Sequence, residues 1–202
     1  MERQDKIPIM FEVDLSRYAG RWYEIARSPF EYESFSVTSN NQRPPFAVEC
    51  QSATADYATI ETPNGTGLTI VNRCFDGTGA EISRVSGVAS PVSNKELGAL
   101  LRVVFDDFTV TTPNGQTLKL PTSSDRGEKP AGYWIHWLSD DYSLAIVGSP
   151  DTGNRGDTLS GQVWILSRTP QVYRSTLDHI VSKIREIGYN PDMVLANPNV
   201  VV

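Results

Sequence analysis

An all-β fold, an eight-stranded antiparallel up-and-down β-barrel with one C-terminal α-helix packed outside, follows from three features of this 202-residue chain. Short runs of alternating apolar and polar residues recur along it, turn residues separate many of them at hairpin length, and one stretch of helical period follows the last run. Eight strands close into a barrel whose interior holds side chains or one small ligand.

The first strand reads as residues 22–27. Runs at 48–60 and 67–75 come next, joined across Pro63-Asn64-Gly65. Asn-Gly between such runs signals a hairpin turn with positive φ at both central residues. Further runs lie at 81–89, 99–105, 133–138, 143–148 and 162–167, with Ser139-Asp140-Asp141 as a tight turn between the sixth and seventh. Sequential runs with short gaps favour up-and-down pairing over crossovers. After Thr169-Pro170 the period changes: Val172, Leu177, Ile180, Val181, Ile184 and Ile187 form one stripe, and Gly188 is a natural stop. That stripe needs a surface, so the helix lies on the outside of the sheet. The chain divides into an N-terminal segment (1–13), the barrel plus helix (14–190) and a tail (191–202) read as extended and packed on the body.

Composition narrows the function. With 39% hydrophobic residues there is enough apolar material for a core. A net charge of −6 without a Lys/Arg cluster argues against nucleic acid as a partner. The opening residues are charged, the apolar stretch 7–11 contains Pro8, and Glu2 replaces the glycine that myristoylation needs, so a cytoplasmic protein is expected. Cys50 and Cys74 lack metal-ligand spacing; buried free thiols are the expectation, with a bridge between them as the alternative.

Three blocks carry a family resemblance: Gly20-Arg21-Trp22-Tyr23-Glu24-Ile25-Ala26-Arg27, then Asp140-Asp141-Tyr142 with Ala145 and Val147, then residues 163–170 ending in Arg168-Thr169-Pro170. They resemble the lipocalin family, most closely its branch of bacterial lipocalins, apolipoprotein D and plant temperature-induced lipocalins. The resemblance runs from about residue 14 to about residue 188. It implies that Gly20, Trp22, Tyr142 and Arg168 are structural, with the Arg168 guanidinium over the Trp22 indole at the closed end of the barrel. Such a contact is favourable on physical grounds alone.

Period-two alternation places Trp134, His136 and Leu138 on one face of the sixth strand and Tyr133, Ile135 and Trp137 on the other. The resemblance implies that the first set faces inward. Ala26, Trp134, His136 and Leu138 are therefore the expected ligand-binding residues, with His136 able to hydrogen-bond a ligand carbonyl or carboxylate or to be satisfied by backbone. Enzyme signals are thin: the two histidines are His136 and His179, and no nucleophile triad, phosphate loop or metal cluster is legible. Neither a catalytic residue nor a cofactor or metal is expected, although an inward cysteine would open a lipid-processing reading.

The connections 28–45, 106–130 and 149–161 are long, and up-and-down order puts all three at the open end. The second contains an extra hairpin, 108–120, turning at Pro113-Asn114-Gly115. The function expected is binding and transport or sequestration of a small hydrophobic ligand such as a fatty acid, lysophospholipid or sterol. Lipid processing in the cavity and partner binding through the long loops are the alternatives. Peripheral membrane contact and a homodimer stay open.

Overall fold

The computed structural model describes residues 8–10, 12–28, 34–35, 48–92, 99–122, 124–125, 127, 130–150 and 161–196. The strands are β1 (Gly20–Arg27), β2 (Ser52–Thr62), β3 (Gly65–Phe75), β4 (Glu81–Pro91), β5 (Leu100–Thr111), β6 (Ala131–Leu138), β7 (Leu144–Pro150) and β8 (Gly161–Ser167). Each pairs antiparallel with the next. β8 returns to β1, with Tyr23 opposite Ser167 and Arg27 opposite Trp164, which closes the barrel. A single-turn helix α1 (Leu15–Tyr18) precedes β1, and α2 (Arg174–Ile187) follows β8.

Helix α1 starts where the Asp14 side chain accepts hydrogen bonds from the Ser16 and Arg17 amides. Helix α2 ends at Gly188, whose φ of 109° lets its N–H reach the Ile184 and Arg185 carbonyls. Its stripe of Leu177, Ile180, Ile184 and Ile187 packs with Ile25, Ile146, Val163 and Ile165 on the outer face of β1, β7 and β8, as the period-3.6 pattern requires. Each such side chain contributes about 1.5–3 kcal/mol by leaving water.

Several local expectations are corrected. The run at 48–60 is interrupted: Val48–Glu49 pairs with Ser34–Phe35 as a separate two-stranded piece, and β2 begins at Ser52. Both Pro-Asn-Gly turns have positive φ at the glycine, Gly65 at 109° and Gly115 at 82°, and not at the asparagine. Proline fixes its own φ near −65°, so the turn residues are Pro63-Asn64, and Gly65 takes the left-handed position after them. The fifth strand runs to Thr111, through a bulge at Asp106. Gly87 makes that bulge feasible, since a Cβ there would sit 2.1 Å from the Val104 carbonyl oxygen. The extra hairpin is present: Thr117–Lys119 pairs back onto β5. Most of the connections 28–45 and 149–161 lies outside the described residues. In the tail, Leu195–Ala196 pairs with Ala26 and Arg27 of β1, and residues 197–202 lie outside the description.

Cys50 and Cys74 are joined in a disulfide, which corrects the expectation of free thiols. The interruption of the strand before β2 brings Cys50 back over β3, where Ser52 opposes Phe75 and Ala53 opposes Cys74. Nothing in the 24-residue spacing announces that approach. Closing a loop of this length restricts the unfolded chain by about 3 kcal/mol. Replacing both cysteines with serine is expected to lower the unfolding free energy in urea by about 3 kcal/mol, with a steeper slope because the unfolded chain is freed, and the denatured, unreduced parent should show no reactive thiol. Two reactive thiols in that assay would contradict the bridge.

Candidate binding site

The closed end is built around Arg168. Its guanidinium carbon lies 3.8 Å from the centroid of the Trp22 ring. Its nitrogens donate to the carbonyls of Arg17 (2.8 Å), Ala19 (2.9 Å), Arg21 (2.9 Å), Tyr18 (3.0 Å) and Tyr142 (3.2 Å). The C-terminal carbonyls of a helix lack intrahelical partners, and those of α1 converge on this cation. Gly20, at φ 101°, meets two demands there, because a Cβ would also come within 3.2 Å of the Arg168 Nη1. Trp22 is fully buried, and its Nε1 donates to the Tyr18 carbonyl at 2.8 Å. Tyr142, at φ 60°, lies under the Arg17 guanidinium, and its hydroxyl accepts from the Asp14 amide. The expected structural quartet Gly20, Trp22, Tyr142 and Arg168 thus forms one floor.

Above the floor, pairing fixes which side chains face in. Trp22 shares a face with Ala55, Asn72, Val85 and Phe108 in successive registers. Ile70, Gly87, Val103, Tyr133, Ile135, Val147 and Trp164 belong to the same inner face. The expected binding residues divide. Leu138 packs in the inner cluster, as expected. Ala26 does not: it opposes Ile165 and belongs to the outer cluster under α2. Trp134 opposes Gly148 and faces outward, while Tyr133 and Ile135 face inward.

His136 is the extra residue of a bulge between Ile135 and Trp137. It points outward, with Nδ1 donating to the Pro8 carbonyl (2.5 Å) and Nε2 accepting from the Tyr189 hydroxyl (3.2 Å). A strict alternation could not place both Ile135 and Leu138 inside; the bulge does. Burial pulls the His136 pKa down to about 4 against the opposing effect of the Pro8 bond, so the ring is neutral and fully engaged. His179 is exposed on α2, edge-on to Trp137.

The polar groups inside are ones the sequence reading missed. The Tyr18 and Tyr57 hydroxyls both meet the Tyr133 hydroxyl, at 2.6 and 3.1 Å. Burial pushes Tyr57 up to about 12 and the other two well above the usual phenol range, so all three are hydrogen-bonding groups and not bases. The Arg27 Nη1 donates to buried Glu24 at 2.5 Å. Residues three apart on a regular strand face opposite sides, but the bulge at Ile25 brings both inward. Asn72, also inward, has a buried amide oxygen without a partner among the described residues. Among those residues no group of three or more His, Cys, Asp or Glu could hold a metal.

A closed eight-stranded barrel, sealed at one end by a cation over an indole and lined mostly by apolar side chains, has the architecture of a small-molecule-binding cup. The chain belongs to the lipocalin-like domain family, whose family model matches residues 13–199. Members of that family generally bind small hydrophobic ligands. A viral protein named as a lipocalin, from Acanthamoeba polyphaga mimivirus, is 29% identical over 185 residues, 92% of this chain and 84% of its own. Temperature-induced lipocalin-1 of Arabidopsis thaliana is 26% identical over 190 residues, 94% of this chain and 81% of its own. Among solved structures, insecticyanin from the tobacco hornworm Manduca sexta superposes with a TM-score of 0.59 at 17% identity, over 95% of this chain and 83% of that one.

The His136 contact has a pH signature. Its folded pKa lies below the unfolded value of about 6.5, so the stability it reflects is complete above pH 6.5 and drains away as pH falls toward 4. The loss reaches about 3 kcal/mol below both values. Urea unfolding at pH 7 and pH 4 should show His136→Gln losing about that much less than the parent over the interval. Equal losses in the two proteins would contradict the assignment.

Proposed function

We propose that this protein binds a small hydrophobic molecule in the barrel and carries or sequesters it, without transforming it. One observation carries the reading. The inner wall above the floor, including Ile70, Val103, Ile135 and Val147, is largely apolar, and the Arg168–Trp22 floor seals it at one end. Fatty acids, lysophospholipids, sterols and related lipids match such a wall. Their burial supplies about 25 cal/mol per Å² before the cost of immobilising the ligand. Family membership supports the same class of ligand.

Other features fit a carrier. The interior tyrosines are held protonated, and the buried histidine is on the outer face with both nitrogens occupied. The extra hairpin raises the wall at the open end, where Phe108, Val110 and Val85 cluster with Leu120, and we assign it the role of narrowing the entrance. The Cys50–Cys74 bridge supports work in an oxidising compartment over the cytoplasmic setting expected from the opening residues.

Titration with diphenylhexatriene, an uncharged apolar dye without a head group, tests the reading. Saturable one-to-one binding with a Kd in the micromolar range is expected, lost when Val103→Trp fills the wall. Native mass spectrometry of the purified protein should show a copurified lipid or capture one from a mixed lipid extract. Absence of both dye binding and lipid capture would overturn the carrier reading.

A further inference from the structure

We infer that the barrel takes its ligand polar end first, with the linked hydroxyls of Tyr18, Tyr57 and Tyr133 donating a hydrogen bond to a neutral terminal oxygen. The ligand class this fits is a long-chain ketone, aldehyde or ester, its apolar chain running toward the open end. The inference rests on the carrier reading and specifies the ligand's chemistry and its direction in the barrel.

Packing puts the three phenols at the deep end. Tyr18, in the single turn of α1, stacks on Tyr57 with ring centroids 5.6 Å apart, and its ring lies 5.1 Å from that of Trp22. Tyr57 opposes Gly20 at the start of β1, and Tyr133 opposes Leu101 near the start of β5. The cluster therefore stands directly on the floor that Arg168 and Trp22 form. Tyr18 and Tyr57 are buried, whereas Tyr133 packs on the inner cluster and stays partly accessible. Through Tyr133 the phenols face the interior.

A count of hydrogens shows what they offer. Three protonated phenols carry three O–H groups, and two contacts join them, Tyr18 to Tyr133 at 2.6 Å and Tyr57 to Tyr133 at 3.1 Å. Each contact uses one hydrogen, whichever partner donates. One hydrogen is always left over, and these hydroxyls make no other hydrogen bond among the described residues. Either contact can reverse its direction, so the spare donor can sit on any of the three oxygens. A buried donor without an acceptor is costly, and a hydrocarbon lying against the cluster leaves it unmet. A carbonyl oxygen accepts that hydrogen and has none of its own to satisfy. Because the donor is fixed at the floor, the oxygen must be at the end of the ligand and not along its chain.

Displacement of diphenylhexatriene by three probes of thirteen carbons separates the cases: the methyl ketone, its isomer with the carbonyl in mid-chain, and the alkane. The methyl ketone should bind about tenfold tighter than either of the others. Replacing Tyr18, Tyr57 and Tyr133 together by phenylalanine removes every hydroxyl along with its partners and keeps the rings, and this variant should bind the three probes alike. If it does not fold, infrared spectra of the parent loaded with the methyl ketone, labelled with carbon-13 at the carbonyl, still decide. The carbonyl stretch should lie at lower frequency than in an alkane solvent, and an unshifted stretch would overturn the inference. Equal binding of the two ketone isomers by the parent would overturn it too, while the carrier reading stands. Failure of every probe, the dye included, would overturn the carrier reading and this inference with it.

Discussion

Arg168 is the contact on which the barrel's polarity rests. One side chain just beyond β8 reaches the carbonyls at the end of α1, the start of β1 and the turn before β7, while its planar face covers Trp22. A guanidinium can do this because its donors are fixed in a plane and its charge is delocalised; an ammonium on the same stem could not serve so many acceptors at once. Through these bonds the first helix, the first strand and the last strand are held as one floor. That floor decides which end of the barrel is closed. The extra hairpin and the disulfide lie at the opposite end.

Register irregularities then decide what the interior contains. Bulges in β1, β5 and β6 each shift the alternation by one residue. The first turns Arg27 inward beside Glu24, and the last sends His136 outward while returning Leu138 to the core. The chain termini attach to the same places. The Met10 amide donates to the Ile135 carbonyl beside the β6 bulge, and Leu195–Ala196 pairs with β1 beyond its bulge. Where strand pairing loosens, a terminal segment takes up the exposed backbone groups, as buried N–H and C=O groups require.

The fold was legible because barrel and helix write different periods into the chain. Alternating runs located all eight strands, and the stripe from Leu177 to Ile187 located the helix and its outer docking face. The floor was legible through the family resemblance, whose three blocks carry Gly20, Trp22, Tyr142 and Arg168. The binding interior was not legible. Facing on a strand changes with a single bulged residue, and bulges leave little trace in composition, so Ala26, Trp134 and His136 were placed on the wrong side. Glu24, Arg27, Asn72 and Tyr57 escaped notice because single polar residues on half-buried strands look alike until pairing shows which of them point in. The disulfide was hidden because it depends on the strand being interrupted at Cys50 and not on spacing.

A floor held by one cation gives the protein a rigid closed end whatever occupies the interior, and leaves selectivity to the wall and the mouth above it. The direct test is Arg168→Met, which keeps the length and apolar stem but removes every donor, with stability read by urea unfolding and local opening by amide hydrogen exchange. Loss of about 3 kcal/mol or more is expected, because five carbonyls lose a charged partner, with exchange accelerated first around α1 and the start of β1. A variant as stable as the parent, with exchange unchanged at that end, would contradict the account.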